Sequence, residues 1–448
     1  MNLSLAQALR ANSSASIAFI GSGGKTTALF QLARLLSSDA GTQPVIVTAT
    51  SHLGVWQLGL ADQHIITETP APIEALEHGL KGVILVTGAI DGERTKPINS
   101  ELLDWLAQFC GYHSIPLLIE ADGSRQKPLK AWAEHEPPIP PFVGLVVQVV
   151  GLTGLGKPLT EEYVHRAEIF SKASGIKIGE MITPESVVRV LTNAASGRRN
   201  IPVRARSVVL LNQADTPERQ ALARGLSRSL LAIYDSAIIA SLEQGEIYAV
   251  DEPIAGIVLA AGEAARFGQL KQLLDWKGEP FVRAVAKTAL KAGLSPVIVV
   301  TGAHAEKVEL SLRDLTVTSI RNERWKTGQA SSIQAGINVL TTSPKTGGAI
   351  FLLADQPQLT VSVLRALMET HAHGLYPIVA PMVIDQRANP VLFDRVTFRD
   401  LLTLEGDVGG RAIFHKYRVE YLPWHDDRLL LDVDTPEMYQ RLLSDDSL

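Results

Sequence analysis

The chain has 448 residues, 46% hydrophobic and 20% charged, a composition that argues for two or three globular domains and against disorder. Its formal net charge of −5 argues against a broadly cationic surface for nucleic acid. One cysteine, Cys110, leaves no internal disulfide framework and no multi-cysteine zinc site. No uncharged apolar run approaches the ~18 residues of a membrane helix, since the stretch from Phe142 to Leu155 is broken by Gln148 and several glycines. The opening MNLSLAQALRANSS reads as an amphipathic helix and has neither the basic start nor the apolar core of a secretory signal. The expectation is a cytoplasmic protein without nucleic-acid or membrane partners.

Twice along the chain an apolar strand runs into a glycine-rich loop and then a helix. The first opening is Ser16–Ile20 followed by Gly21-Ser-Gly23-Gly24-Lys25-Thr26-Thr27 and a helical pattern. Short apolar strands follow at Val45–Thr48, Gly82–Val86, Pro116–Glu120, Gly144–Val149 and Ser207–Leu211, with helical patterns between them, as a parallel sheet requires. A polar stretch, Glu243–Pro253, reads as the join. The second opening is Ile254–Leu259 followed by AAGEAARFGQLKQLL. Strands are expected at Pro296–Thr301, Ala349–Leu353, Pro377–Ala380 and Arg428–Val433, and helices at Phe281–Ala292, Ser331–Leu340 and Val361–His371. The expected fold is therefore α/β in two tandem domains, 1–250 and 251–448. The first is a P-loop-like three-layer domain and the second a Rossmann-like domain with a mostly parallel sheet.

In the first loop, Gly-Lys-Thr is the tail of a phosphate loop, but the usual spacing would put a glycine where Phe19 stands. The shortened form resembles that of Mur-type ligases. Backbone amides of Gly21, Gly23 and Gly24, with the start of the following helix, can hold phosphate, Lys25 can reach the terminal phosphates, and Thr26 can bind magnesium. Thr27 completes the nucleotide-binding set. Leu117-Leu-Ile-Glu120-Ala-Asp122 adds a strand ending in two carboxylates that suit the same ion. Together with Lys127-Pro-Leu-Lys130 and His135-Glu-Pro-Pro, this region is similar to the selenium-dependent hydroxylase accessory protein family across roughly 15–240. Leu211-Asn212-Gln213-Ala-Asp215 resembles the Asn-Lys-x-Asp base-reading motif of GTP-binding proteins, with glutamine in place of the lysine; a plain strand-end turn fits it as well. His135 reads as structural, and His52 has no assigned role.

In the second loop, Ala260, Ala261 and Gly262 let backbone amides approach a triphosphate closely. Arg266 and Lys271 can neutralise its charge, the one as a planar fork and the other as a point charge. Asp355 ends an apolar strand and Asp434 precedes a Thr-Pro turn, which makes them the candidate Mg²⁺ ligands, since magnesium needs only one or two carboxylates. Ser331 and Ser332 open a helix and either hold the base or ribose or simply cap it.

The pattern LAAGxSxRxGxxKxLL, with Leu352-Leu-Ala-Asp355-Gln-Pro357, Asn389-Pro-Val-Leu-Phe393, Gly406-Asp407-Val-Gly-Gly410-Arg411 and Asp432-Val-Asp434-Thr-Pro436, resembles the MobA-like nucleotidyltransferase superfamily across about 254–444. Within it the chain looks like the molybdenum cofactor cytidylyltransferases. The Ala260-Ala261 doublet points to that branch and away from the guanylyl one. Two positions depart from the pattern: Ala264 replaces a serine and Ala388 a glycine.

The resemblance implies transfer of CMP from CTP to molybdopterin with release of pyrophosphate. Arg266, Lys271 and Asp355 are then the catalytic residues and Asn389 and Asp407 contact the acceptor. The first domain is expected to bind ATP in the same maturation route, with an apo molybdenum hydroxylase as a partner. The rival expectations are a guanylyltransferase, another small-molecule nucleotidyltransferase, or a nucleotide-gated cofactor carrier.

Overall fold

A computed structural model of the protein describes residues 3–12, 15–37, 43–75, 79–263, 270–341, 345–433 and 435–445. The chain divides into two compact units, Met1–Asp251 and Glu252–Leu448. Both are α/β with large, mostly parallel sheets. No helix among the described residues is long and apolar enough to cross a membrane.

Among the described residues of the first unit, one sheet has nine strands. They are β1 (Ser16–Gly21), β2 (Val45–Ala49), β3 (Gln63–Ile66), β4 (Val83–Thr87), β5 (Leu117–Glu120), β6 (Leu145–Gly151), β7 (Arg206–Asn212), β8 (Ser236–Ser241) and β9 (Glu246–Asp251). Their order is β9-β8-β7-β6-β1-β5-β2-β4-β3, and every pair is parallel except β8 with β9. β2, β5 and β6 are buried along their whole length, which explains their unbroken apolar sequences. Helices α1 (Lys25–Leu36), α2 (Ser100–His113) and α3 (Pro217–Leu230) connect strands. Asn99 caps α2 by accepting from Leu102 N at 2.8 Å, and Thr216 caps α3 ahead of Pro217. β1 has β5 on one side and β6 on the other, so the chain reverses its direction of travel there, the place where open α/β sheets bind ligands.

The second unit contains β10 (Ile254–Ala260), β11 (Val297–Thr301), β12 (Thr318–Arg321), β13 (Gly348–Leu353), β14 (Ile378–Val383), β15 (Val391–Asp394) and β16 (Val419–Pro423). The order is β12-β11-β10-β13-β15-β14, with β16 also on β14. Only β15 in this set runs against its neighbours. Helices α4 (Phe281–Ala292), α5 (Gln329–Thr341) and α6 (Val361–Gly374) cover the two faces. Val258 packs with Val282, Val285 and Leu364, while Ile257 packs with Ile333, Ile337 and Phe351. A Cβ on Gly336 would lie 2.6 Å from Ile257 Cγ2, so the glycine lets α5 approach the sheet closely.

Two expectations are corrected and a third is sharpened. Arg428–Val433 is not a strand: Asp427–Leu430 is a 3-10 turn capped by Asp426, and Leu429 enters the core from it. The division between the two units falls within the polar stretch read as a join, and just before that division runs β9, an antiparallel edge strand on β8. The opening amphipathic helix is four residues long, Leu5–Ala8, and stops at the turn where Arg10 has φ 49°.

Candidate functional site

Each unit carries one candidate site, and in both it lies at the carboxyl ends of the parallel strands. In the first unit, Gly21, Gly23 and Gly24 have φ of 93°, 78° and 118°, a region that favours glycine. A Cβ on Gly23 would lie 2.4 Å from Gly151 Cα, so the loop is pressed against the end of β6. The start of α1 follows at once, with Thr27 exposed and Lys25 buried. Lys25 does not extend from the loop. Its Nζ donates to Gly21 O at 2.7 Å and lies 3.2 Å from Asp122 Oδ1.

Asp122 is the hub of this site. It accepts from the Gly21 amide at 3.1 Å and from Trp132 Nε1 at 2.6 Å, and Lys130 Nζ lies 3.0 Å away. Burial on its own would raise this carboxyl, but Lys25, Lys130 and the Gly21 amide together hold it below the ordinary carboxylate range. Glu120 behaves in the opposite way, because burial pushes it up and Lys25 and the Thr26 hydroxyl offset only part of that. Thr26 Oγ1 donates to Glu120 Oε2 at 2.8 Å and accepts from Gln57 Nε2 at 2.9 Å. Gly24, Thr26, Glu120, Trp56 and Arg166 border a cleft of about 1040 Å³. His52 is on its wall, with Nδ1 2.9 Å from Thr95 O; His135 is exposed.

His165 also faces the cleft. Burial first, then Lys130 and Arg166, lower its imidazole to about 4 against the pull of Glu136. In the unfolded chain it regains the ordinary value near 6.5, so it is neutral in the fold at pH values where the unfolded form binds a proton. This contribution to stability is complete above about 6.5 and is lost as pH falls toward about 4. The urea midpoint should therefore fall between pH 7 and pH 5, and His165→Gln should flatten that slope. An unchanged slope would contradict the assignment.

In the second unit, β10 pairs with β13 at Leu259–Leu353 and with β11 at Ala260–Thr301. The loop that begins at Ala261 and Gly262, Gly302 after β11, and Asp355 after β13 therefore leave the sheet at the same end. Ala354 N donates to Leu259 O at 3.2 Å, which fixes the step from β13 to Asp355. A Cβ on Gly302 would lie 2.4 Å from Ala261 O, so that glycine permits the close approach of the two loops. Gln272 Nε2 donates to Gly262 O at 2.8 Å and ties the two ends of the loop together. Lys271 opens the short 3-10 turn at the loop's far end, Lys271–Leu273, and is half-buried, as is Asp355. Arg266, Ala264 and Asp434 lie outside the described residues.

The chain leading to Asp434 is nevertheless tied to the strand end. Gln356 Nε2 donates to Asp432 Oδ1 at 2.8 Å, and Gln358 Nε2 to Leu431 O at 2.8 Å. Ser331 and Ser332 are buried, and both hydroxyls accept from Asn322 Nδ2, at 2.8 and 3.0 Å. Ser331 Oγ also donates to Gly328 O. These bonds lock the start of α5, whose first amide, Gln329 N, goes to another side chain. Asp407 Oδ1 accepts from Gln329 N at 3.2 Å, and Gly328, with φ 108°, lets the 406–407 backbone close on that helix start. Asn389 is half-buried and precedes Pro390 through a cis peptide bond.

Asn322 and Trp132 stand outside every motif. Gln356 and Asp432 lie inside two of them, but no local pattern announces that they bond to each other. Lys130 was visible only within the resemblance to the accessory family.

Residues 17–168 match the YqeC protein family, and residues 256–421 match the MobA-like NTP transferase domain. The chain is 30% identical over 241 residues to the uncharacterized protein YqeC of Escherichia coli (strain K12), covering 52% of this chain and 85% of that one. It is 30% identical over 200 residues to nicotine blue oxidoreductase of Paenarthrobacter nicotinovorans, covering 42% and 96%. Over 185 residues it is 24% identical to the molybdenum cofactor cytidylyltransferase of Escherichia coli (strain K12), covering 40% and 91%.

Proposed function

Because the chain belongs to the YqeC family through its first unit and to the MobA-like NTP transferases through its second, we propose that it is a CTP:molybdopterin cytidylyltransferase joined to a nucleotide-binding accessory unit. The transferase occupies 251–448 and the accessory unit 1–250. An oxygen of the acceptor's phosphate monoester attacks the α-phosphorus of CTP. A new phosphoanhydride bond forms, the α–β bond breaks, and pyrophosphate leaves. Catalysis of this kind is positioning plus electrostatic stabilisation.

Amides of Ala260, Ala261 and Gly262, with Arg266 and Lys271, hold the triphosphate. Asp407, fastened to the start of α5, and Asn389 face the acceptor. Ser331 and Ser332 keep that helix start rigid through Asn322.

The chemistry of the donor set suits a magnesium ion. Among the described residues no three His, Cys, Asp or Glu side chains form a metal-binding group, but magnesium needs only one or two carboxylates beside water and phosphate oxygens. Asp355 and Asp434 would supply them, and a bound Mg²⁺ would neutralise charge on the α-phosphate and the departing pyrophosphate. The observation that carries this reading is the Gln356–Asp432 bond of 2.8 Å, which draws the approach to Asp434 toward the residue next to Asp355. In the first unit, Gly21–Thr27 binds a nucleoside triphosphate, with Thr26 and Glu120 as the pair that suits a second magnesium. That unit serves the same maturation route, with an apo molybdenum hydroxylase as the recipient.

Pyrophosphate release measured with each of the four ribonucleoside triphosphates, with and without molybdenum-loaded molybdopterin, tests the proposal. Magnesium-dependent release is expected from CTP only when the acceptor is present. Preference for GTP would overturn the cytidylyl assignment, and release from no triphosphate would overturn the transferase and favour a carrier.

A further inference from the structure

Asn212, buried at the end of β7, joins three loops of the first unit. Its Nδ2 donates to Gly23 O at 2.7 Å, and its Oδ1 accepts from Leu242 N at 3.0 Å. Gln31 on α1 donates to Leu242 O at 2.8 Å. The glycine loop after β1, the turn after β7 and the turn after β8 therefore form one fastened rim.

Three residues beyond Asn212, Asp215 is fixed on that rim. Its Oδ1 accepts from Ser241 Oγ at 2.6 Å, and its Oδ2 lies 3.2 Å from Arg219 NH1. Ala214 N donates to Ala240 O at 3.0 Å, which holds the turn against the end of β8. The Asp215 side chain remains 27% exposed, so a ligand can reach it. Gln213, at φ 68°, turns its Oε1 to the Thr153 hydroxyl at 2.6 Å and fastens a fourth loop, the one after β6.

We infer that the nucleotide of the first unit is a guanine nucleotide whose base is read by the Asp215 carboxylate, held by Ser241 and Arg219 on the rim that Asn212 fastens. The inference rests on the reading of Gly21–Thr27 as a triphosphate loop and names the base which that site takes. An ionised carboxylate only accepts hydrogen bonds. Guanine presents two adjacent donors, N1–H and the 2-amino group, and both oxygens of one carboxylate can accept from them. Adenine presents an acceptor at N1 and no 2-amino group, so acceptor would face acceptor. Hypoxanthine lacks the 2-amino donor, and xanthine carries an acceptor oxygen in its place.

The test is displacement of a fluorescent GTP analogue from the full chain by GTP, ITP, ATP and XTP, in the wild type, Lys25→Ala and Asp215→Asn. Only binding that Lys25→Ala removes is assigned to the first unit, which separates it from nucleotide held by the second. GTP should bind at least ~10-fold more tightly than ITP or ATP, on the scale of a hydrogen bond to a charged group. Asp215→Asn should shift the GTP-to-XTP ratio toward XTP by roughly 100-fold, because an amide donor would then face the 2-oxo group. A merely structural turn would weaken all four nucleotides alike and overturn the inference. Equal, Lys25-dependent binding of ATP and GTP would overturn guanine selection and leave the triphosphate loop standing. If no nucleotide depends on Lys25, that loop reading fails as well. Should Asp215→Asn not fold, the wild-type comparison of GTP with ITP decides, and equal affinities overturn the inference.

Discussion

Replacing Asp355 by asparagine should lower kcat for pyrophosphate release by about 10²–10³, the scale set by removing one preorganised electrostatic contact at a developing charge. The substitution keeps the shape of the side chain and removes the charge. Asp355 lies two residues beyond β13 and is half-buried, so the apolar packing of Ala354 and Leu352 beneath it is untouched. The thermal transition should therefore stay near that of the wild type while turnover collapses. The loss should appear in kcat and kcat/KM together, the signature of an interaction made in the transition state. A variant that kept most of its activity would remove Asp355 from the metal site.

The largest effect on stability is expected at Asp122. Asp122→Ala would leave Lys25 and Lys130 buried with their shared carboxylate gone, and would strip the Gly21 amide and the Trp132 indole of an acceptor. Removing one partner of a buried charge cluster costs about 3–5 kcal/mol, which for a unit of this size is a fall of roughly 10 °C in Tm. Asp122→Asn should recover part of the loss, because the amide oxygen still accepts from Trp132. Differential scanning calorimetry of the three proteins checks this. A Tm unchanged in Asp122→Ala would show that the two lysines find other partners.

How much was legible in the sequence follows from where each signal lies. β1, β10 and β13 are central strands, and their apolar runs announce them because both faces are covered. β12 and β16 carry no apolar run to announce them, because they lie toward the sheet margins and all their residues are exposed or half-buried. Leu429-Leu430-Leu431 looks like a strand, yet a strand needs a free edge to pair with. Instead, Asp426 caps a turn and Gln358 takes up Leu431 O and Arg428 O.

The glycine loops could be named from sequence because a loop's chemistry is local. The settings of their charged residues could not, because they depend on contacts across the fold. Lys25 meets an aspartate 97 positions away, and Gln356 bonds to Asp432 across 76. Asn322, from the end of β12, engages the hydroxyls of both Ser331 and Ser332, a contact that neither segment announces by itself.

The claim beneath the proposed chemistry is that two acidic side chains far apart in the chain serve one divalent ion. The most direct measurement is the rate of pyrophosphate release from CTP and molybdopterin, at saturating Mg²⁺, for Asp355→Asn, Asp434→Asn and the double variant. If both carboxylates hold the same ion, each single change should cost about as much as the other. The pair together should cost little more than the worse single, since residues that act as one unit are not additive. Near-normal activity in Asp434→Asn, or losses that simply multiply in the double variant, would contradict the shared site.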